Sequence, residues 1–183
     1  MADEVKTPEI VRPDYEQVLF QSRIIFLYGV INEASAKEVN QKLMAFRLMD
    51  KDSPVVIEIC SGGGECMAGI AIADMIHDLG TPVYTIINGY AASIATYIAI
   101  VGHKRFMTSN SYWMGHPMTS GKNDYLPYLK DDLKFIERLN ETLLKVYKKY
   151  ADFSDADIQK MENGELWLNA KECLKRKIVD KIS

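Results

Sequence analysis

The amino-acid sequence predicts an α/β fold in one domain, and three observations carry that prediction. Apolar runs rich in β-branched residues recur at 23–29, 55–59 and 83–87. Each run ends at glycine or a polar break, and each break leads into a stretch whose apolar residues fall at threes and fours. With 183 residues, the chain can bury a core without disulfide staples.

Residues 1–17 carry Pro8, Pro13 and mixed charge, and read as a mobile N-terminal arm ahead of a single domain at 18–183. Arg23-Ile24-Ile25-Phe26-Leu27-Tyr28-Gly29 reads as a buried strand stopped by glycine. Asn32 caps a helix running to about Met49, with Ala36, Val39, Leu43 and Phe46 on its apolar face. Val55-Val56-Ile57-Glu58-Ile59 is the second strand; Ser61-Gly62-Gly63-Gly64 breaks it before a helix from about Cys66 to Leu79. The third strand, opened by Gly80-Thr81-Pro82, leads through Asn88-Gly89-Tyr90 into a helix with Ser93 in its first turn. Short strands follow at 105–108 and 112–115, the second running into His116-Pro117.

From about 124 to 150, Leu126, Leu129, Leu133, Ile136, Leu139, Leu143 and Tyr147 keep helical spacing. At about 1.5 Å per residue such a helix is roughly 40 Å long, more than this domain needs for its own core. It is either a handle that reaches a partner or an amphipathic helix folded back on its own sheet. Helices near 155–162 and 170–176 and a last strand at Ile178-Val179 complete the chain.

With 22 Lys and Arg against 25 Asp and Glu, and no basic stripe interleaved with aromatics, the composition gives nucleic acid no footprint. The N-terminal residues lack the basic flank and apolar core of a signal peptide, and no apolar run is long enough to span a membrane, so a cytoplasmic location is expected. Cys60, Cys66 and Cys173 match neither a zinc ribbon nor a redox pair and read as reduced, structural thiols. The histidines lack partners at ligand spacing, so no metal site is expected.

Ser93 sits among small residues in Asn88-Gly89-Tyr90-Ala91-Ala92-Ser93. It reads either as a helix N-cap or as a nucleophile, and a nucleophile also needs a base, an orienting acid and an oxyanion site. His116 is the candidate base, because a side chain at a strand end can turn across the sheet edge, although histidines at such places are often structural. His77 and His103 read as surface residues. Three consecutive glycines, 62–64, exceed what a tight turn requires and let backbone N–H groups approach a ligand closely. No Gly-Lys-Ser/Thr or Gly-x-Gly-x-x-Gly spacing makes them a phosphate loop.

These segments, in this order, resemble the proteolytic subunit of the Clp protease, a serine peptidase family with the crotonase-like fold. Ser61-Gly62-Gly63-Gly64 is similar to that family's Ser-Pro-Gly-Gly turn, and Gly89-Tyr90-Ala91-Ala92-Ser93 to its Gly-Gln-Ala-Ala-Ser segment. Lys104-Arg105-Phe106 through Met114-Gly115-His116-Pro117 resembles the strand pair ending in the catalytic histidine. The resemblance implies Ser93 as nucleophile, His116 as general base and later acid, and the N–H groups of Gly64 and Ile94 as the oxyanion hole. Substrate then lies as a strand beside Gly63 and Gly64. It also implies Glu165, where the family has aspartate, as third member, with Asn163, Asp155 or Asp157 as alternatives.

The fold so implied is repeated strand-helix units with a protruding handle helix. The implied function is ATP-independent peptide-bond hydrolysis of unfolded polypeptides by a self-compartmentalising endopeptidase. Its assembly is two stacked heptameric rings, a tetradecamer, interlocked by the handle through Tyr125, Leu126, Leu129 and Leu133. No cofactor is implied. The family's AAA+ unfoldase docks in apolar pockets built partly from aromatics on the strand before the glycine turn; here Val56 and Glu58 stand there, and a charge opposes that docking. Two other classes stay open: an acyl-CoA enzyme of crotonase type, and a ring scaffold without activity.

Overall fold

The computed structural model describes residues 14–119, 121 and 125–183. The expected arm lies outside these residues except for its end, where 15–17 are already helical. They open α1 (Tyr15–Gln21), whose N-cap Asp14 accepts the Glu16 N–H. There follow β1 (Ile24–Ile31), α2 (Glu33–Met49), β2 (Val55–Gly64), α3 (Cys66–Asp78), β3 (Val83–Ala92) and α4 (Ile94–Ile100). Next come β4 (Lys104–Met107), β5 (Tyr112–Gly115), α5 (Leu126–Tyr150), α6 (Asp155–Asn163), β6 (Leu166–Asn169), α7 (Ala170–Lys175) and β7 (Lys181–Ile182).

The central sheet runs β1-β2-β3-β4-β7, all parallel, and strand-helix crossovers make that order possible. Where β4 has ended, β5 takes over as the parallel neighbour of the last residues of β3, and β6 pairs antiparallel with β5. One sheet face is closed by α2, α3 and α4, burying Ile25, Leu27, Ile57, Ile59, Val83 and Ile87. The other is partly open, with Phe26 and Tyr28 43% and 50% exposed, so the first strand is buried on one face only.

Arg23 enters β1 with a positive φ of 59°. Its guanidinium donates to the carbonyls of Phe46, Asp50, Ser53 and Pro54, serving the α2 end, whose last C=O groups have no partner within the helix. It also lies 5.1 Å from the centroid of the Phe46 ring.

Three boundaries differ from the sequence reading. β2 and β3 run on to Gly64 and Ala92, because the glycine turn and Asn88-Gly89-Tyr90 stay extended, with a register shift between Ile59 and Ser61. β6 was not among the expected strands, since four residues are too few to show alternation; pairing with β5 makes it a strand. The last strand is Lys181–Ile182, not Ile178-Val179, because the Ile178 N–H turns back to the Cys173 carbonyl and both residues are buried behind α7.

α5 is a single helix of 25 residues, in which only Leu143 and Tyr147 are buried. Its first turns project from the domain, with Tyr125 before it and Leu126, Tyr128 and Leu133 more than half exposed, while Phe135, Ile136 and Leu139 border a groove with Gly64, Met67 and Met118. That is the handle rather than the folded-back helix; Asp124, its expected first residue, lies outside the described residues. Among the described residues no helix is long and apolar enough to cross a membrane.

Candidate active site

Ser93 occupies the N-cap position of α4 directly after β3, yet its side chain makes no cap bond and its backbone has φ 55° and ψ −133°. A side-chain-bearing residue at positive φ is strained and persists only where its surroundings hold it. Here the Ser93 N–H donates to the Met114 carbonyl at 2.9 Å, and the Ser93 carbonyl accepts from the Thr96 N–H at 3.0 Å. The Thr96 hydroxyl donates to the same carbonyl, and it also shares a 2.6 Å hydrogen bond with the Tyr147 hydroxyl of α5. The base of the handle thus braces the turn that presents Ser93. Capping does not explain this serine; its hydroxyl is left for other work.

Two of the three glycines admit no side chain, Gly63 because of this turn and Gly64 because of β1. A Cβ on Gly63 (φ 94°) falls 2.6 Å from the Ser93 Cβ and 3.2 Å from the Ile94 nitrogen. One on Gly64 (φ 152°) falls 2.0 Å from the Ile31 oxygen. Ile94 opens α4, where N–H groups have no partner within the helix. The end of β2 and the start of α4 therefore bring Gly64 and Ile94 to the edge of one space.

His116 reaches that space through sheet register. Parallel pairing sets Ala92 beside Met114, so Gly115 follows opposite Ser93 and His116 is the next residue, just past the end of β5. Ser93, His116, Gly64 and Ile94 line one cavity of about 100 Å³. Its walls are largely apolar, with Cys66, Met118, Leu143, Leu144 and Met161, and its polar groups include Tyr147, Asn140 and Glu162. Burial pushes the Tyr147 hydroxyl and the Cys66 thiol up, so both stay protonated at neutral pH.

The expected acid sits elsewhere. Glu165 lies one residue before the Gly115–Leu166 pair of β5 and β6, but it does not line the cavity. Its carboxylate is exposed and accepts the Trp167 indole N–H at 2.8 Å. Of the alternatives, Asp157 is committed to structure: Arg176 donates to both its oxygens, and Ser154 caps α6 through it. Those hydrogen bonds hold its carboxyl at about 2. Asp155 is exposed in the first turn of α6, and the Asn163 amide donates to the Gln159 carbonyl. His77 pairs with Asp78, and Nδ1 of His103 accepts the Val83 N–H; both line a separate hollow with Arg105 and Asp180.

Residues 9–183 match the family model described as Clp protease. The chain belongs to the Clp protease family. Its relatives include the ATP-dependent Clp protease proteolytic subunit 2 of Treponema denticola, 30% identical over 91% of this chain and 84% of that protein. The ATP-dependent Clp protease proteolytic subunit of Streptococcus mutans is 31% identical over 90% of this chain and 86% of that protein. That of Leuconostoc citreum is 30% identical over 92% and 86%. A Clp-type α/β fold is what the sheet order and handle helix display.

Within this Clp protease chain, Val56 and Glu58 lie on the open face of the sheet. The Glu58 carboxylate accepts from the Tyr28 hydroxyl at 2.5 Å and the Asn88 amide at 2.8 Å, and the first of these bonds pushes the Tyr28 hydroxyl up to about 12. A charged, hydrogen-bonded group thus stands among Phe26, Val56 and Ile86. Three residues at the site escaped sequence reading: Thr96, Tyr147 and Glu162. Thr96, three residues after Ser93, had a readable signal, since a threonine hydroxyl turns back on a carbonyl three or four residues earlier. Tyr147 was marked only as one of the helix's apolar positions, and nothing marks Glu162 out from its neighbouring carboxylates.

Proposed function

We infer that this protein is a serine endopeptidase cleaving extended, unfolded polypeptide, with Ser93 as nucleophile and His116 as its base. One observation carries the reading: a strained, uncapped Ser93 shares a small cavity with His116 and with the amide-bearing residues Gly64 and Ile94. In acylation His116 takes the Ser93 proton as Oγ attacks the scissile carbonyl. The amides of Gly64 and Ile94 stabilise the oxyanion, and the imidazolium protonates the leaving amine. In deacylation the same histidine activates water. Rigid backbone donors need no reorganisation at the moment of reaction, and losing one costs roughly 3 kcal/mol of barrier.

Substrate adds as a strand along Gly63 and Gly64 at the end of β2. The chain assembles into stacked heptameric rings in the cytoplasm, with the exposed apolar half of α5 reaching the opposite ring. An ATP-driven unfoldase, in keeping with the names of the relatives, supplies substrate; its contact has to accommodate Glu58. The test is labelling with a fluorophosphonate, read by intact mass, alongside fluorogenic peptide hydrolysis. One adduct per chain, lost together with hydrolysis in Ser93→Ala, is expected. Hydrolysis that survives Ser93→Ala would end the reading. Acyl-CoA turnover without labelling would replace it with crotonase-type chemistry.

A further inference from the structure

A serine peptidase of this kind needs a carboxylate to orient the imidazole and stabilise its charged form. Among the described residues lining the cavity, the carboxyl group is that of Glu162, at the last turn of α6. Glu165 accepts the Trp167 indole and, like Asp155, is not in the lining, and Asp157 is held by Arg176; Glu162 is itself largely exposed and borders the cavity from its solvent side. The other titratable groups facing His116 across the space are the Cys66 thiol from α3 and the Tyr147 hydroxyl from α5. Burial raises both, so neither carries charge at neutral pH. The structure shows no hydrogen bond or ion pair at Glu162 or at His116 among the described residues. An uncommitted carboxylate and an uncommitted imidazole thus share a cavity of about 100 Å³ whose walls are mostly apolar.

We propose that Glu162, rather than Glu165, is the positioning residue that holds the His116 imidazole for proton transfer from Ser93. The proposal rests on the assignment of Ser93 and His116 above. α6 is placed for this by two anchors: the Asp157–Arg176 pair near its start and the antiparallel β5–β6 pairing just after its end. Met161, buried beside Glu162, fixes the rotation of the last turn.

The test compares Glu162→Gln, Glu162→Asp, Glu165→Gln and Trp167→Phe in the full chain. It reads kcat and KM for a fluorogenic peptide from pH 5 to 9, fluorophosphonate labelling rate, and thermal unfolding. Glu162→Gln is expected to lower kcat by about 10² to 10³ with little change in KM, toward the loss seen when a triad carboxylate becomes an amide. Glu162→Asp recovers part of the rate, and Glu165→Gln stays within about threefold of the parent. Trp167→Phe leaves kcat unchanged.

Loss of kcat in Glu165→Gln without loss in Glu162→Gln would overturn the proposal. So would a rise in Trp167→Phe, which would mean that Glu165, once released from the indole, reaches the histidine. A Glu162→Gln variant that is slower only in step with a loss of thermal stability, or a loss that Glu162→Asp does not recover, assigns Glu162 a structural role only, and also overturns it. An unlabelled parent whose hydrolysis survives Ser93→Ala would instead remove the underlying Ser93 reading, and the proposal with it.

Discussion

Arg23 and Ser93 carry nearly the same unusual φ, 59° and 55°, and use it in opposite ways. At Arg23 the turn aims a guanidinium back at four carbonyls around the end of α2, so that side chain is fully engaged in holding the fold. At Ser93 every hydrogen bond described is made by backbone groups, to Met114 and Thr96, and the side-chain oxygen is left without a cap bond. A strained backbone alone therefore does not mark a reactive residue. The distinguishing feature is which part of the residue the surroundings satisfy: the side chain where strain serves structure, the backbone where it serves chemistry.

Four variants sharpen or break that contrast. Gly63→Ala is expected to have the largest effect. The new methyl meets the Ser93 Cβ at 2.6 Å and the Ala92 carbonyl at 2.8 Å, and neither is the far end of a flexible side chain that could swing away. Displacement of the nucleophile should lower kcat/KM by two orders of magnitude or more, about 3 kcal/mol. Wild-type rates in that variant would mean that the β2 end does not position Ser93.

Arg23→Ala should do the reverse, costing about 2 to 3 kcal/mol of stability in urea unfolding while kcat of the folded fraction stays near the parent's. If kcat falls with stability unchanged, the division between the two positive-φ residues is wrong.

Asp157→Asn tests whether α6 is held by its ion pair. Arg176 holds the Asp157 carboxyl at about 2, below its ordinary 3.8. A depressed value in the fold means the stabilisation is complete above the ordinary carboxylate range and is lost as pH falls through about 2. The variant should be less stable than the parent by up to about 2 kcal/mol near neutral pH, with the gap narrowing below about pH 4. A gap independent of pH would assign the loss to packing instead.

Tyr147→Phe is the mildest. It removes the hydroxyl bonded to Thr96 and should raise the barrier by about 1 kcal/mol, seen as slower fluorophosphonate labelling at unchanged KM. An unchanged labelling rate would detach the base of α5 from the Ser93 turn.

Much of the architecture was legible in the chain. The strand-helix alternation, the Asn32 cap and the apolar face of α2 stand where hydrophobic period and capping residues put them. The handle's extent was readable because an apolar stripe of that length exceeds what one domain can cover, and its outer half is indeed exposed. β6 was not legible, because a four-residue strand is created by its partner β5 and not by its own pattern. The end of the last strand was misplaced for a related reason: Ile178 and Val179 are apolar because they are buried, and burial does not require a ladder.

By itself the sequence determined the local devices: the glycine run after an apolar strand, the serine at a strand-to-helix junction, the histidine at a strand end and the amphipathic handle. These depend on residues near one another in the chain, where spacing and conformational preference act directly. The tertiary structure alone decided which carboxylate shares a cavity with His116, which tyrosine braces Ser93, and which strained residue is structural. Those choices depend on register and helix rotation between segments distant in sequence, and a one-residue shift in either turns a side chain from the cavity to solvent.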